Sequence, residues 1–312
     1  MEPFTAGRPD SHTPLDVIVI GEALTDVVTT PSGVVEHPGG SPANVAYGLG
    51  RLGVPTGLLT AIGEDARGAA IETHLHRAGV RLLPGSRSLA RTSSATATLT
   101  ADGSASYDFD VAWDLPGNIS ALVPRVLHTG SIATFLAPGA RTVKTLVQQA
   151  HQRCTVTYDP NIRPALLGSH TEARTIFKDF VPATDLVKLS DEDAQWLYPR
   201  KTVAETAAHV LGLGAKLAVV TMGAKGSLLA SAETSVNIPA VKTGVADTIG
   251  AGDSYMSALI LAFLRRATDG FAPAVMARMG RMAAAAAAIT VSRAGANPPS
   301  LEELDGALRP GH

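Results

Sequence analysis

Short apolar runs alternate with helix-forming stretches along this chain, and this alternation restricts its fold more than any other feature. The run Val17-Ile18-Val19-Ile20 predicts a buried strand, and residues 42–50 then carry the apolar face of a helix. A second apolar run at 57–63 precedes a second helical stretch at 67–78. Strands that alternate with helices in this way favour a mostly parallel sheet covered by helices.

The same rhythm returns after residue 125. Further strands are expected at 126–129, 156–158, 186–189 and 217–221, separated by helical stretches. Two alanine-rich segments near the end of the chain predict long, closely packed helices, at 254–266 and 274–290. The fold class is therefore α/β.

A predicted β-hairpin interrupts this rhythm between residues 92 and 113. Two alternating stretches flank Asp102-Gly103, a dipeptide favoured in two-residue hairpin turns. Because a lone hairpin is marginally stable in water, it needs a partner surface. The β-branched residues around Pro31-Ser32-Gly33 supply one, so we expect a small separate sheet that serves as a lid, a dimer contact, or both.

Composition excludes several classes of protein. The chain is 45% hydrophobic and 17% charged, whereas disorder needs the opposite balance. A formal net charge of −2 disfavours a nucleic-acid partner. The single cysteine, Cys154, excludes an intramolecular disulfide and a cysteine-based zinc site. Uninterrupted apolar runs fall short of the ~20 residues of a membrane span, and the polar N-terminus lacks a signal-peptide core. A cytoplasmic protein with no membrane partner is expected.

The most informative motif is Asp247-Thr248-Ile249-Gly250-Ala251-Gly252-Asp253. Apolar residues recur at helical spacing from Met256 to Leu264, so the two glycines lie at a helix N-terminus. Free N–H groups and the positive end of the helix dipole favour an anion there, and the lack of bulky side chains lets a phosphate approach. Asp253 falls in the first turn beside this position. A capped turn, in which Asp253 only complements the dipole, is the alternative.

Two other segments place polar side chains beside glycines or a strand end. Gly39-Gly40-Ser41-Pro42-Ala43-Asn44 leads into a helix; start signals explain most of it, but the Asn44 amide also suits sugar hydroxyls. Tyr158-Asp159-Pro160-Asn161-Ile162-Arg163 follows a strand, so its polar residues lie at the carboxyl edge where open sheets bind ligands. A rigid loop with an Asp159–Arg163 ion pair is the alternative.

Gly48-Leu49-Gly50-Arg51-Leu52-Gly53 matches the G-x-G-x-x-G pattern of dinucleotide-binding folds. That pattern needs a strand before it and a helix after it. Here a helical segment precedes it and Val54-Pro55 follows, so it is read as a helix end and a turn. An NAD-dependent oxidoreductase is therefore disfavoured.

Taken together, these segments resemble the PfkB (ribokinase-like) family of carbohydrate kinases, over about residues 15–304. Gly39-Gly40-Ser41-Pro42-Ala43-Asn44-Val45-Ala46 resembles the N-terminal signature of that family, and residues 247–253 resemble the C-terminal one. The resemblance implies a three-layer α/β/α sandwich with a mostly parallel central sheet. It also implies a small β lid from about 27–37 and 92–113, within a kinase domain of residues 15–312 that follows a flexible tail at 1–14.

The resemblance also implies roles for individual residues. Asp253 would be the catalytic base, and the helix start would form an anion hole from Gly250, Ala251 and Gly252. The sugar would be bound by Asp26, Gly39, Gly40, Asn44, Phe109, Asp159, Asn161 and Arg163, with Trp113 packing beside Phe109. The ATP site would comprise Ser190, Thr221, Gly223, Gly226 and Thr248. Mg²⁺ would be contacted by Asp193 through water, and a monovalent cation, K⁺, would lie near Asp247 and Ile249. A homodimer through the lid is also expected.

The resemblance points to fructose as the sugar. Residues 158–163 are similar to a stretch of fructokinases and of 2-keto-3-deoxygluconate kinases, and Gly130-Ser131-Ile132 favours fructokinases. Three positions depart from the family: Ser190-Asp191-Glu192-Asp193 replaces N-x-x-E, Phe109 to Trp113 lacks an arginine common in fructokinase lids, and Ala284 replaces an asparagine near the adenine site. 2-Keto-3-deoxygluconate, ribose and nucleosides therefore remain alternative substrates, and a non-catalytic sugar- or nucleotide-binding regulator remains an alternative function.

Overall fold

The computed structural model describes residues 14–30, 33–99, 105–115, 124–266 and 270–309. The strands are β1 (Val17–Ile20), β2 (Leu24–Thr30), β3 (Gly33–Gly39), β4 (Thr56–Leu59), β5 (Ile62–Gly63), β6 (Arg81–Leu82), β7 (Arg87–Leu89), β8 (Ser94–Leu99), β9 (Ala105–Asp110), β10 (Val126–Gly130), β11 (Thr155–Asp159), β12 (Leu186–Ser190), β13 (Leu217–Thr221), β14 (Ser227–Ala230) and β15 (Ser235–Ile238). The helices are α1 (Ser41–Arg51), α2 (Ala66–Arg77), α3 (Gly139–His151), α4 (His170–Phe180), α5 (Asp191–Leu197), α6 (Val203–Gly212), α7 (Ala251–Leu264), α8 (Pro273–Val291) and α9 (Leu301–Ala307).

The large sheet has nine strands in the order β15-β14-β13-β12-β11-β10-β1-β4-β6. The strands from β13 to β6 run parallel, and β14 and β15 are antiparallel to their neighbours. In β1, Val17 and Val19 pack into the core shared with α1, α2, α7 and α8. Ile18 and Ile20 pack into a second core, which includes residues of α3 to α6. Successive side chains of a strand point to opposite faces, so the sheet is covered on both sides, and the three-layer prediction is confirmed.

A second sheet of four strands, in the order β3-β2-β8-β9, corresponds to the predicted lid. Its strands extend slightly beyond the expected 27–37 at the first segment and stop short of 92–113 at the second. The Asp102-Gly103 turn and residues 1–13 of the predicted tail lie outside the described residues. Asp26 pairs with His37 on β3 and with Ala95 on β8, and Ala95 pairs with Phe109 on β9. Directly paired residues share a face of a sheet, so Asp26 and Phe109 lie on one face of the lid.

The expected single strand at 57–63 is wrong in detail. β4 ends at Leu59, and Ile62–Gly63 pairs with β7 in a separate two-stranded sheet. The G-x-G-x-x-G segment is confirmed as a helix end: Gly48 and Gly50 lie inside α1, and Gly53 follows it with a φ of +74°.

Among the described helices, α8 has the length and apolar composition of a membrane-spanning helix, which the apolar runs of the sequence did not suggest. Half of the apolar window of α8 is buried inside the protein. Its residues Val275, Met276 and Met279 belong to the core that also contains α7. Helices buried in the cores of globular proteins have the same composition.

Candidate active site

Polar residues collect where the central parallel strands end. Asp159 is the last residue of β11 and lies beside Gly130 at the end of β10. Ser190 ends β12 and lies beside Thr221 at the end of β13. The loops that follow the carboxyl ends of such strands form the usual ligand-binding crevice of open α/β sheets.

Helix α7 begins at this edge, as its glycine motif predicts. Gly250 is the N-cap residue and has a left-handed φ of +74°. A Cβ atom there would lie 2.7 Å from Cβ of Ala296, so both conformation and space require glycine. The N–H groups of the first helical turn have no partner within the helix and favour a bound anion.

Asp253, in the first turn of α7, is held by two side chains from the start of α1. The Ser41 hydroxyl donates to Oδ1 at 2.6 Å, and the Asn44 amide donates to Oδ2 at 2.9 Å. Burial raises the pKa of Asp253, although both hydrogen bonds oppose this rise. The two glycine-containing motifs of the sequence therefore form one site. Asn44, predicted to bind the sugar, donates one amide N–H to Asp253, which leaves its second N–H and its carbonyl oxygen for a ligand. The contact of Ser41 with Asp253 is one that sequence reasoning missed.

Beneath the start of α7 lies a buried ion pair that the sequence analysis also missed. Lys188 Nζ on β12 donates to Asp159 Oδ2 at 2.6 Å, and their side chains are only 5% and 2% exposed. The same Nζ lies 3.5 Å from the position that a Cβ of Gly252 would occupy. The signal was present in the sequence, because Lys188 is the only charged residue in the strand Leu-Val-Lys-Leu-Ser. The pair places a positive charge near the predicted anion site.

This pairing changes the expectations for the loop after β11. The alternative Asp159–Arg163 ion pair is wrong; Arg163 instead donates to the carbonyl of Ile162 at 3.1 Å, and its side chain is exposed. Asp159, predicted to contact the sugar, is 1% exposed, and its Oδ2 accepts from Lys188. Its Oδ1 has no hydrogen-bond partner among the described residues, so the sugar contact stays a prediction. Asn161 has a left-handed φ of +39°, uncommon for a residue other than glycine.

Asp26 lies on the lid side of the site, close to the first glycine pair. A Cβ on Gly39 would lie 2.0 Å from Asp26 Oδ2, so any larger residue there would displace the carboxylate from this position. Burial, aided by the negative charge of Asp253, raises the pKa of Asp26 to about 6, while His37 and Arg163 lower it. Gly40 caps α1 with a φ of +99°.

The aromatic residues of the lid segment divide between two environments. Phe109 is half-buried on the lid face that carries Asp26. Trp113 was expected to pack beside it on the sugar, and this is wrong: Trp113 is 2% exposed and belongs to the core of the large domain. Its indole N–H donates to the carbonyl of Ala133 at 3.0 Å.

The predicted ATP-site residues lie around the ends of β12 and β13. Ser190 caps α5, and its hydroxyl accepts from Asp193 N–H at 2.9 Å. Thr221 ends β13, and Gly223 and Gly226 shape the turn into β14 with φ values of +52° and +91°. Thr248 is exposed just before α7.

Asp193, predicted to contact Mg²⁺, is hydrogen-bonded to two backbone segments. Its two carboxylate oxygens accept from the N–H groups of Ile162, at 2.8 Å, and Ser190, at 3.0 Å. Because Asp193 is also only 6% exposed, contact with a metal through water fits it better than direct coordination. No cluster of three or more His, Cys, Asp or Glu side chains with metal-binding geometry occurs within the part of the chain that the structure describes.

The Asp247 carboxylate joins the loop before α7 to the loop after α8. It accepts from Ile249 N–H at 3.0 Å and from Gly295 N–H at 2.9 Å, and these bonds lower its pKa. Asp247 and Ile249, which were expected near a monovalent cation, therefore lie beside the loop that follows α8.

The chain is similar to known carbohydrate kinases over most of its length. Residues 12–304 match the model of the pfkB family carbohydrate kinases. A fructokinase of Rhizobium leguminosarum bv. trifolii is 31% identical over 263 residues, which are 80% of this chain and 79% of the relative. The sugar kinase PH1459 of Pyrococcus horikoshii, solved in complex with ATP, has a TM-score of 0.77 at 26% identity and covers 94% of this chain and 100% of its own. A double mutant of fructokinase from Vibrio cholerae O395, solved with fructose, ADP and potassium, has a TM-score of 0.80 at 23% identity, over 95% of this chain and 100% of its own.

A large, mostly parallel sheet with helices on both faces and a small β-sheet lid defines the ribokinase-like class of sugar kinases. Within that class, the chain belongs to the pfkB family of carbohydrate kinases and is an ATP-dependent phosphotransferase.

Proposed function

We propose that the protein transfers the γ-phosphoryl group of ATP to a hydroxyl of a free sugar, with fructose as the preferred substrate. One observation carries the proposal. Asp253, in the first turn of α7, accepts hydrogen bonds from Ser41 and Asn44 of the N-terminal signature. A carboxylate is thereby fixed next to a helix start that favours phosphate.

In the proposed reaction, Asp253 accepts the proton of the sugar hydroxyl while the oxygen bonds to the γ-phosphorus and the bond to the bridging oxygen of ADP breaks. A carboxylate of ordinary pKa is a weak base, and burial moves the pKa of Asp253 upward, towards the range in which a general base works well. The fixed orientation supplies the positioning on which phosphoryl transfer mainly depends.

Positive charge for the transferred group comes from two sources in the chain. The helix start at Gly250, Ala251 and Gly252 offers backbone N–H groups, of which that of Ala251 also donates to the Thr248 carbonyl at 3.3 Å. The Lys188 ammonium, held by Asp159, lies beneath the same turn. Preorganised donors of this kind stabilise charge that spreads over the phosphoryl oxygens.

The chain fits Mg²⁺ and K⁺ as follows. Asp193, with both oxygens engaged, would contact Mg²⁺ through water, and Mg²⁺ would neutralise the ATP phosphates. Backbone oxygens near Asp247, Ile249 and the loop at 292–295 would hold K⁺, since Asp247 joins these segments. The V. cholerae fructokinase was solved with potassium, which supports this assignment. Ser190, Thr221, Gly223, Gly226 and Thr248 would bind ATP.

Fructose is favoured over a phosphorylated sugar by the charges of the sugar side. Asp26 and Asn161 suit hydroxyl groups, and Lys188 is buried, with part of its charge offset by Asp159. This leaves Arg163 as the exposed cation of the predicted set, whereas a phosphate dianion favours several charge-assisted partners. Gly39 leaves room for Asp26, Gly40 lies against the Glu22 carbonyl, and Phe109 offers an apolar surface for the ring. The Rhizobium relative is a fructokinase, in agreement with this choice.

A homodimer through the lid and a cytoplasmic location complete the proposal. β3 is an edge strand of the lid, and its residues Val34 and Val35 are 60% and 52% exposed. Exposed apolar residues on an open strand edge suit pairing with a second copy.

The experiment is a sugar panel with ATP and Mg²⁺ in which ADP release is measured. Fructose is expected to give the largest kcat/KM among fructose, 2-keto-3-deoxygluconate, ribose, adenosine and fructose 6-phosphate. A clear preference for fructose 6-phosphate or adenosine would refute the substrate, and no ADP release with any compound would favour a non-catalytic binding protein.

A further inference from the structure

Glu22 is a buried acid that the proposed reaction does not use. It lies in the loop between β1 and β2 and is only 4% exposed. Its Oε2 accepts a hydrogen bond from the backbone N–H of Ala133 at 3.1 Å, and the Ser131 side chain is a second partner. An acid this deeply buried needs such partners, because burial of a charged group is costly.

The turn that Glu22 holds has an unusual backbone. Ser131 adopts a left-handed φ of +53°, although it is not a glycine. This turn follows Gly130, which lies beside Asp159 at the site edge. Such a conformation is strained and persists only where the surroundings enforce it.

Glu22 also connects this turn to two other parts of the site. Both backbone polar groups of Ala133 are hydrogen-bonded. Its N–H donates to Glu22, and its carbonyl accepts from the Trp113 indole at the base of the lid segment. The Glu22 carbonyl packs against Gly40, where a Cβ atom would approach to 2.7 Å. Gly40 caps the helix whose Ser41 holds Asp253. One residue therefore contacts the turn after β10 and the start of α1, and reaches the base of the lid through Ala133.

We propose that Glu22 is a positioning residue that acts in its protonated form, holding the turn at 130–133 and the base of the lid for phosphoryl transfer. The proposal rests on the proposed kinase function. A protonated carboxyl donates one hydrogen bond and accepts others, as a glutamine amide does. An ionised carboxylate would instead place a second negative charge near Asp253.

The electrostatic surroundings support the protonated form at neutral pH. Burial raises the pKa of Glu22 to about 8 and outweighs the hydrogen bonds from Ser131, from Ala133 N–H and from the Glu22 backbone, which lower it. The charge of Asp253 on α7 adds to the rise. On neighbouring elements, burial lowers the pKa of His128 on β10 to about 3, which leaves it neutral, and raises that of Asp26 on β2 to about 6. Asp159 and Lys188 pair with each other.

The sign of the pH dependence follows from linkage. The folded state keeps the Glu22 proton up to about pH 8, whereas the unfolded chain releases it near pH 4.5. The folded state therefore binds more protons between these values, and stability falls as the pH rises through this window. The proposed positioning is complete below pH 8 and is lost as the pH rises through 8.

The test compares wild type with Glu22→Gln, Glu22→Ala and a control, Asp185→Asn. Asp185 is also a buried carboxylate that accepts from a backbone N–H, that of Val156 at 2.8 Å, but it lies at the opposite end of the sheet. Two measurements are made from pH 5 to 9.5: kcat and KM with the best sugar of the panel, and the thermal midpoint without substrate.

Wild-type kcat is expected to fall about tenfold from pH 7 to 9.5, while Glu22→Gln keeps wild-type kcat within threefold at pH 7 and loses this alkaline fall. Its thermal midpoint should also decline less between pH 4.5 and 8. Glu22→Ala should lose at least tenfold in kcat at pH 7, whereas Asp185→Asn should keep the wild-type pH profile.

The proposal is overturned if Glu22→Gln keeps the alkaline fall of the wild type, or if it loses as much kcat at pH 7 as Glu22→Ala. Failure of the proposed function looks different: the wild type would release no ADP with any sugar at any pH. In that case the thermal midpoints of wild type and Glu22→Gln would still report whether Glu22 is protonated at neutral pH.

Discussion

Replacing Lys188 by methionine should separate the structural from the chemical role of the buried Lys188–Asp159 pair. The substitution keeps the volume of the side chain but removes its charge. Asp159 would then remain 1% exposed with no cationic partner, and its Oδ1 already has no hydrogen-bond partner among the described residues. Breaking a buried ion pair by removing one member typically costs about 3–5 kcal/mol. Since domains of this kind are stable by roughly 5–15 kcal/mol, Lys188→Met should be strongly destabilised.

The double variant Lys188→Met, Asp159→Asn removes both charges and is the decisive comparison. Replacing a whole buried pair by neutral groups of similar volume is often nearly neutral for stability. The double variant should therefore regain most of the stability that the single variant loses. Two unit charges 4 Å apart interact by about 4 kcal/mol at an effective dielectric constant of 20. Because Asp159 offsets part of the Lys188 charge, we expect Lys188→Met to lose less kcat than this energy implies, about 10²-fold. The double variant should not recover this loss of kcat.

Urea unfolding gives the stability of each variant, and ADP release at saturating sugar and ATP gives kcat. ATP and ADP affinities, measured by calorimetry, add a second readout, since only ATP carries the phosphoryl group near Gly252. We expect the double variant to lose affinity for ATP but to keep its affinity for ADP. Wild-type kcat in a double variant of wild-type stability would show that the pair is only structural.

Two further substitutions test the anion site and the sugar site. Gly252→Val should fold, because its Cβ would meet only Lys188 Nζ, at 3.5 Å, but its side chain would occupy the phosphate position and lower kcat by ~10²–10³-fold. Gly226→Ala should mainly lower the thermal midpoint, because its Cβ would lie 2.0 Å from the Ile238 carbonyl oxygen. Equal loss of kcat per folded molecule in both variants would argue against the anion site. Because burial raises the pKa of Asp26 to about 6, kcat/KM for the sugar should fall as the pH drops below 6 and Asp26 takes up a proton. The kcat/KM of Asp26→Asn should be low at every pH. If Asp26→Asn shows the same fall at acid pH as the wild type, another group causes that fall.

The sequence predicted those parts of the protein that depend on local patterns. The start of α7 was predicted because the glycines and the apolar periodicity after Met256 lie within a few residues of each other. The sheet followed from the alternation of strands and helices, and the lid from the hairpin at 92–113. These features depend on residues that are close in the chain.

Contacts between distant residues were not predictable from local patterns. Ser41 and Asp253 are separated by 212 positions, so their hydrogen bond follows only from how α1 packs on α7. Trp113 was assigned to the sugar because it follows the lid, but the chain turns there and inserts the ring into the core. Lys188 stood out as a charge in an apolar strand, yet its partner Asp159 comes from the neighbouring strand end. Even so, the two signatures identified correctly which segments meet at the site.

The central claim, that Asp253 accepts the sugar proton at this helix start, is tested most directly by Asp253→Asn. The amide keeps the size of the side chain but cannot accept the proton. With the best sugar of the panel, kcat should fall by at least ~10²–10⁴-fold, while ATP affinity and the thermal midpoint stay near those of the wild type. A variant that keeps its fold and retains kcat within about tenfold of wild type would contradict the account.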